Sequence, residues 1–209
     1  MEFNKDESLS RGELTREQII VAAHDLFISQ GYHGTSMRQI AGQVGIALGG
    51  LYNHFSSKEA VFEAVFERYH PYREVIPALL EAQGDTIEDV IRNAADEMFA
   101  AINRRPKFLN LMFIEIVEFN SVHVQALFTR IFPMAVQVAQ RFQGMAPDRM
   151  RPIPIALIIR SFVGFLFAFL ISEYIFASKA PPEFTENGME SMLDIYLHGI
   201  LNPESMEGQ

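Results

Sequence analysis

A chain of 209 residues with 49% hydrophobic and 21% charged residues and a net charge of −9 can bury one large helical core, or a small module joined to a larger one. It has no cysteine, which excludes disulfides, thiolate metal sites and cysteine nucleophiles and makes the cytoplasm the expected location. Met1 to Arg11 mixes charges of both signs without an apolar core, so 1–12 is expected to be a disordered tail rather than a secretory signal.

Apolar residues recur at helical rather than strand spacing, and Gly, Pro, Asn and Ser punctuation divides the chain into about nine helices. The fold class predicted is all-α, with an N-terminal three-helix module over 13–57, a connecting helix over 58–82, a larger helical domain over 83–203 and a tail at 204–209. The first helix is expected to open at Thr15, with Gln18 as its capping-box partner, and to end near Gly31. The second opens at Ser36 with Gln39 as partner, buries Met37, Ile40, Ala41 and Val44, and closes at Gly45, a residue suited to a left-handed C-terminal turn. The third carries Leu48, Leu51, Tyr52 and Phe55 at i, i+3, i+4 and i+7. The fourth is capped by Ser56 with Glu59 or by Ser57 alone, and Pro71 and Pro77 should bend or end it. Longer helices are expected over 86–103, 106–118, 121–143 (kinked at Pro133), 154–178 and 183–201. The longest uninterrupted apolar stretch, Phe162 to Ile171, is too short for a membrane span of roughly 20 residues, so it reads as core and no membrane is expected as partner.

Two short helices joined by a tight glycine turn, the second presenting polar and aromatic residues, form a helix-turn-helix. Here Ser36–Val44 is the scaffold, Gly45-Ile46 the turn and Ala47–His54 the recognition helix. Leu51 and Phe55 would anchor it, leaving Gly49, Gly50, Tyr52, Asn53 and His54 toward DNA. No acidic residue lies between Asp25 and Glu59, whereas His33, Arg38, His54 and Lys58 do, so one surface of an acidic chain can approach a polyanion.

The run Gly31-Tyr32, Thr35-Ser36-Met37-Arg38-Gln39-Ile40-Ala41, Val44-Gly45-Ile46 and Gly49-Gly50-Leu51-Tyr52-Asn53-His54-Phe55-Ser56-Ser57-Lys58-Glu59-Ala60-Val61-Phe62 closely resembles the DNA-binding domain of TetR/AcrR-family regulators. The resemblance implies phosphate contacts from Thr35, Ser36 and Lys58, a base or phosphate contact from Arg38, and contacts from Tyr52 and His54. Ala47, Leu48 and Gly50 depart from positions that are commonly polar or hydroxylated in the family. Ala47 forfeits a helix cap, and Asn53 becomes the best remaining base reader. The function implied is a DNA-binding regulator, a repressor released from a palindromic operator by a small lipophilic effector. The alternative is a helical enzyme or ligand carrier bearing a similar segment.

After Thr86 the sequence shows no catalytic ordering, phosphate loop or metal-spaced cluster, so no enzyme activity, cofactor or metal is expected. The resemblance implies a ligand cavity in this domain. Its Phe and Met richness makes Met98, Met112, Phe113, Glu115, Phe119, His123, Phe128, Phe162, Phe165 and Phe169 the candidate lining. The helices at 154–178 and 183–201 match the family's homodimerisation pair. Arg160, Gly164, Ala168 and Ser172 form a seam on the first, and Met189, Met192, Leu193, Tyr196, Leu197 and Ile200 an apolar stripe on the second.

Overall fold

The computed structural model describes residues 10–176, 179–181 and 187–200. Residues 1–9 and 201–209 of the expected tails and last helix, and positions 177–178 and 183–186 of the expected helix pair, lie outside the described residues. Among the described residues the fold is all-α, without a strand. In chain order the helices are α1 (Arg11–Gly34), α2 (Met37–Val44), α3 (Leu48–Tyr52), α4 (Lys58–Tyr69), α5 (Tyr72–Glu81), α6 (Ile87–Asn103), α7 (Phe108–Phe119), α8 (Val122–Met145), α9 (Ile155–Phe176) and α10 (Gly188–Ile200).

Helix α1 starts a turn earlier than Thr15. Ser10 Oγ accepts the Glu13 N–H and the Glu13 carboxylate accepts the Ser10 N–H at 2.8 Å, while the Thr15 hydroxyl donates to Arg11 O inside the helix. Two Ser/Thr-x-x-Glu/Gln patterns compete here. The one with an ionised carboxylate at the positive helix end prevails. Gly31, at φ 76°, breaks the helical path near the expected end. The Ser36/Gln39 capping box and the left-handed Gly45 (φ 77°) bound α2 as its sequence dictates. Ser57 alone caps α4 by accepting the Ala60 N–H at 3.1 Å, and the connecting segment divides at His70-Pro71 rather than at Pro77, which lies inside α5.

The described residues form two compact units, one from 10–71 with 104–128 and the other from 72–103 with those between 129 and 200. This differs from the expected linear division. The segment 104–128 joins the N-terminal module because Phe108 packs on Phe66 and His70, and Phe119 stacks on Phe62 with ring centroids 4.6 Å apart. The core of this unit is Ile19, Ile20, Ala23 and Phe27 of α1, Ile40 and Ala41 of α2, Leu51 of α3, and Val61, Phe62, Val65 and Phe66 of α4.

In the second unit α6 is the central helix. One side packs Ile87, Ile91 and Ala95 with Ile158 of α9 and with Leu193, Leu197 and Ile200 of α10; the other packs Val90, Ala94, Met98 and Ile102 with Leu79 and Val138. Leu193, Leu197 and Ile200 of the α10 stripe are therefore buried within the chain, while Met189, Met192 and Tyr196 are half-buried. Helix α9 differs from its expected role as core. It is the one helix among the described residues long and apolar enough to cross a membrane by length and composition, yet only 11% of its 18-residue apolar window is buried.

Candidate nucleic-acid interface

Helix α3 is held by two anchors, Leu51 and Phe55, both buried as predicted, so the opposite face of the helix is turned outward. Tyr52 is 51% exposed, which decides against a core role for this aromatic. Asn53 is exposed and His54 half-buried, and Arg38 projects into solvent from α2. Among the described residues none of these four side chains makes a hydrogen bond or ion pair. Gly49 is exposed and Gly50 and Leu48 are half-buried, while Ala47 provides no side-chain cap.

Thr35 and Ser36 separate in role. Thr35 is buried, its hydroxyl donates to Gly31 O at 2.9 Å and its N–H to Tyr32 O, so its side chain is committed to closing α1 rather than free for a phosphate. Ser36 is exposed, with its hydroxyl engaged by Gln39 in the capping box.

Lys58 has partners that its position in the sequence does not reveal. Its Nζ donates to Tyr32 O and Thr35 O, each at 2.8 Å, and lies 4.1 Å from the centre of the Tyr32 ring. A cation at the start of α4 opposes that helix's dipole, but here it meets the carbonyl-rich end of α1, where a cation is favoured. Burial pushes its pKa below the usual lysine range and the Glu118 carboxylate partly offsets this. Two of its three donors are thus spent inside the protein, leaving one for an outside anion.

Helix α7 reaches the same corner. His33 Nε2 donates to Glu118 Oε2 at 2.5 Å, and Phe119 meets Tyr32 edge-on with centroids 4.8 Å apart. Sequence reasoning did not connect Glu118 and Tyr32 with Lys58. They lie far apart along the chain, and no periodicity links residues that meet only through tertiary packing.

The candidate ligand residues are distributed over both units. Glu115 is fully buried and accepts from the backbone N–H groups of His123 and Val124 and from His123 Nδ1 at 2.7 Å. It therefore caps α8 across the left-handed Asn120-Ser121 turn, and its two oxygens and the Nδ1 of His123 are committed to that role. Phe119 is engaged by Phe62 and Tyr32. Met112 is half-buried, and Phe113 and Phe128 are exposed. In the second unit Met98 is buried in the core, Phe162 and Phe165 pack on Tyr196, and Phe169 meets Phe99 edge-on at 5.0 Å. Phe169 is the candidate that lines a cavity of about 520 Å³, bounded by α6, α9 and the start of α10, with Arg92, Asp96, Phe99, Glu173, Glu190 and Leu193. Among the described residues no group of His, Asp and Glu is arranged to hold a metal ion.

A three-helix module with an anchored, outward-facing recognition helix, followed by a larger helical unit, defines the class of helix-turn-helix DNA-binding proteins. Residues 19–65 match the family described as bacterial regulatory proteins, tetR family. The activator FasR of Mycolicibacterium smegmatis is 41% identical over 54 residues, which cover 26% of this chain and 25% of FasR. The regulator UidR of Escherichia coli is 38% identical over 60 residues, 29% of this chain and 31% of UidR. The sequence matches thus span between a quarter and a third of these two relatives. Over the whole fold, the fatty acid degradation regulator FadR from Bacillus halodurans superposes with a TM-score of 0.70 at 17% identity, covering 92% of this chain and 98% of FadR. The family match thus covers the N-terminal module, residues 19–65, and over its whole length the chain shares the fold of these regulators.

Proposed function

We propose that the protein is a transcriptional repressor that binds a palindromic operator as a homodimer in the cytoplasm and leaves it when a small lipophilic molecule binds the larger helical unit. The observation that carries the DNA reading is the set of exposed Arg38, Tyr52 and Asn53 with half-buried His54, which has no hydrogen-bond or ion-pair partner among the described residues and lies in the segment free of acidic residues. The third donor of Lys58 adds a phosphate contact beside it, whereas both donors of Ser36 are spent on Gln39.

The dimer reading rests on α9. Leu157, Val163 and Phe167 are exposed along with Gly164 and Ala168 of the small-residue seam, and a two-fold copy of the same face would cover them. The cavity supports the effector reading. Its two edge-to-face phenylalanines suit an apolar body, and three carboxylates, Asp96, Glu173 and Glu190, outnumber the one cation lining it among the described residues, Arg92, which already pairs with Asp194 through its Nη2, so a hydrophobic cation fits better than an acyl chain ending in a carboxylate.

Selection of DNA duplexes from a random pool with the wild-type protein, scored for palindromy, tests the first half; failure to enrich any sequence overturns it. A thermal-shift screen of hydrophobic cations against fatty acids, followed by operator release, tests the second. A ligand at about 100 times its Kd adds roughly 2.7 kcal/mol to the folded state if it binds that state alone. Stabilisation by fatty acids alone refutes the cation reading, and stabilisation without release refutes the induction mechanism.

A further inference from the structure

Two acidic residues stand close to Arg16 along α1, and each is turned to another partner. Glu13, three residues earlier and so on the same face of the helix, accepts the Ser10 N–H at 2.8 Å, and Glu17 pairs with Arg68 of α4 at 3.3 Å. Among the described residues Arg16 makes no hydrogen bond or ion pair. Its guanidinium carbon instead lies 4.8 Å from the centre of the Phe55 ring, within the range at which the face of an aromatic attracts a cation. Arg16 is exposed and Phe55 is buried, so a core ring seats a charge at the surface while the five N–H donors of that charge find no acceptor in the chain.

The place of this seat indicates what it serves. Phe55 follows Asn53 and His54 directly and continues the last turn of the recognition helix, its N–H donating to Leu51 O at 3.0 Å. Arg16 therefore reaches from α1 to the trailing end of α3, behind the residues turned outward. Contact with the ring restricts the side chain before any partner arrives, so an anion met there is bound with less loss of rotamer freedom than by an unsupported surface arginine. A planar fork with unspent donors matches the oxygens of a phosphate. Lys58, 4.1 Å over the Tyr32 ring, is a second cation seated in the same way on this module, but two of its donors are already used.

We propose that Arg16 is a positioning residue for DNA: seated on Phe55, its guanidinium binds one backbone phosphate beside the trailing end of α3 and fixes the recognition helix against the duplex from the α1 side. This rests on the DNA-binding reading above. A phosphate contact adds affinity without sequence information, so Arg16 strengthens binding to any duplex alike. An arginine that merely shielded Phe55 with its stem would affect folding and leave the salt dependence of binding unchanged.

The test uses the full-length protein, a labelled duplex selected with the wild type and an unrelated duplex of equal length, each titrated over a potassium chloride series. Arg16→Met keeps an unbranched stem over the ring and removes the charge, Arg16→Lys keeps the charge and loses the fork, and Lys107→Met removes a charge from an exposed position at the start of α7. All three should melt as the wild type does. Arg16→Met should bind both duplexes about tenfold more weakly, with the slope of log affinity against log salt reduced by about one. Arg16→Lys should keep the wild-type slope, and Lys107→Met should match wild type throughout. An Arg16→Met protein with the wild-type slope overturns the proposal, as does a loss confined to the selected duplex, a loss that tracks a lower melting temperature, or an equal loss in Lys107→Met. A wild-type protein that selects no duplex overturns the DNA-binding reading itself, and the proposal with it.

Discussion

Lys58 shows how one side chain can serve both the fold and a partner. Its ammonium closes the end of α1 through Tyr32 O and Thr35 O and has one donor to spare. Lys58→Met keeps the stem over the Tyr32 ring but removes the charge. It should cost about 1.5 kcal/mol of stability in urea unfolding, at the low end for charged hydrogen bonds because the group is only half-buried. Operator binding should weaken with a salt slope reduced by about one. A slope that stays unchanged while stability falls would assign Lys58 to the internal clasp alone. His70 sets a pH dependence. Burial, with Arg105 nearby, holds its pKa down from 6.5 to about 4. Between those values the unfolded chain binds more protons than the folded one, so stability falls as pH drops from 6.5 toward 4, by up to about 1.4 kcal/mol per pH unit from this group. His70→Phe retains an aromatic ring against Phe66 and Phe108 and should give a flatter plot of unfolding free energy against pH over that interval.

Helices α2 and α3 are stabilised unequally. The former has a complete capping box and a left-handed glycine stop, while the latter has no side-chain cap and two interior glycines. The scaffold helix is therefore well determined by its own residues, whereas the recognition helix depends on Leu51 and Phe55 being gripped by the core. Removing the Ser36 hydroxyl frees the Gln39 N–H and deletes the bond the hydroxyl donates to Gln39 Oε1. Ser36→Ala should thus lower stability by about 1 kcal/mol and weaken operator binding by more than that loss alone predicts, measured by unfolding and titration of the selected duplex in parallel. The last two helices also divide in role. Leu193, Leu197 and Ile200 of α10 are buried within the chain, while Val163 and Phe167 of α9 remain at the surface.

At the scale of the molecule, that uncovered α9 face argues for two copies. A charge placed in it would be desolvated in the dimer and hydrated in the monomer, so the double variant Val163→Glu, Phe167→Glu should sediment as a monomer with wild-type helicity and bind a half-site more weakly than the wild-type dimer binds a full operator. A variant that remains dimeric would place the interface elsewhere. The sequence by itself determined the all-α class, the α2 caps, the anchors of α3 and the resemblance to the TetR family, because each depends on residues within a few turns of one another. Tertiary structure decided what joins distant segments: the committed hydroxyl of Thr35, the clasp of Lys58 beside Glu118, the burial of Glu115 as the cap of α8, and the inclusion of residues 104–128 in the N-terminal unit. It also decided that Leu193, Leu197 and Ile200 of α10 are buried inside the chain while Leu157, Val163 and Phe167 of α9 are not. Helical periodicity marks an apolar face as one that needs covering, but what covers it is set by the path of the chain, which periodicity does not encode.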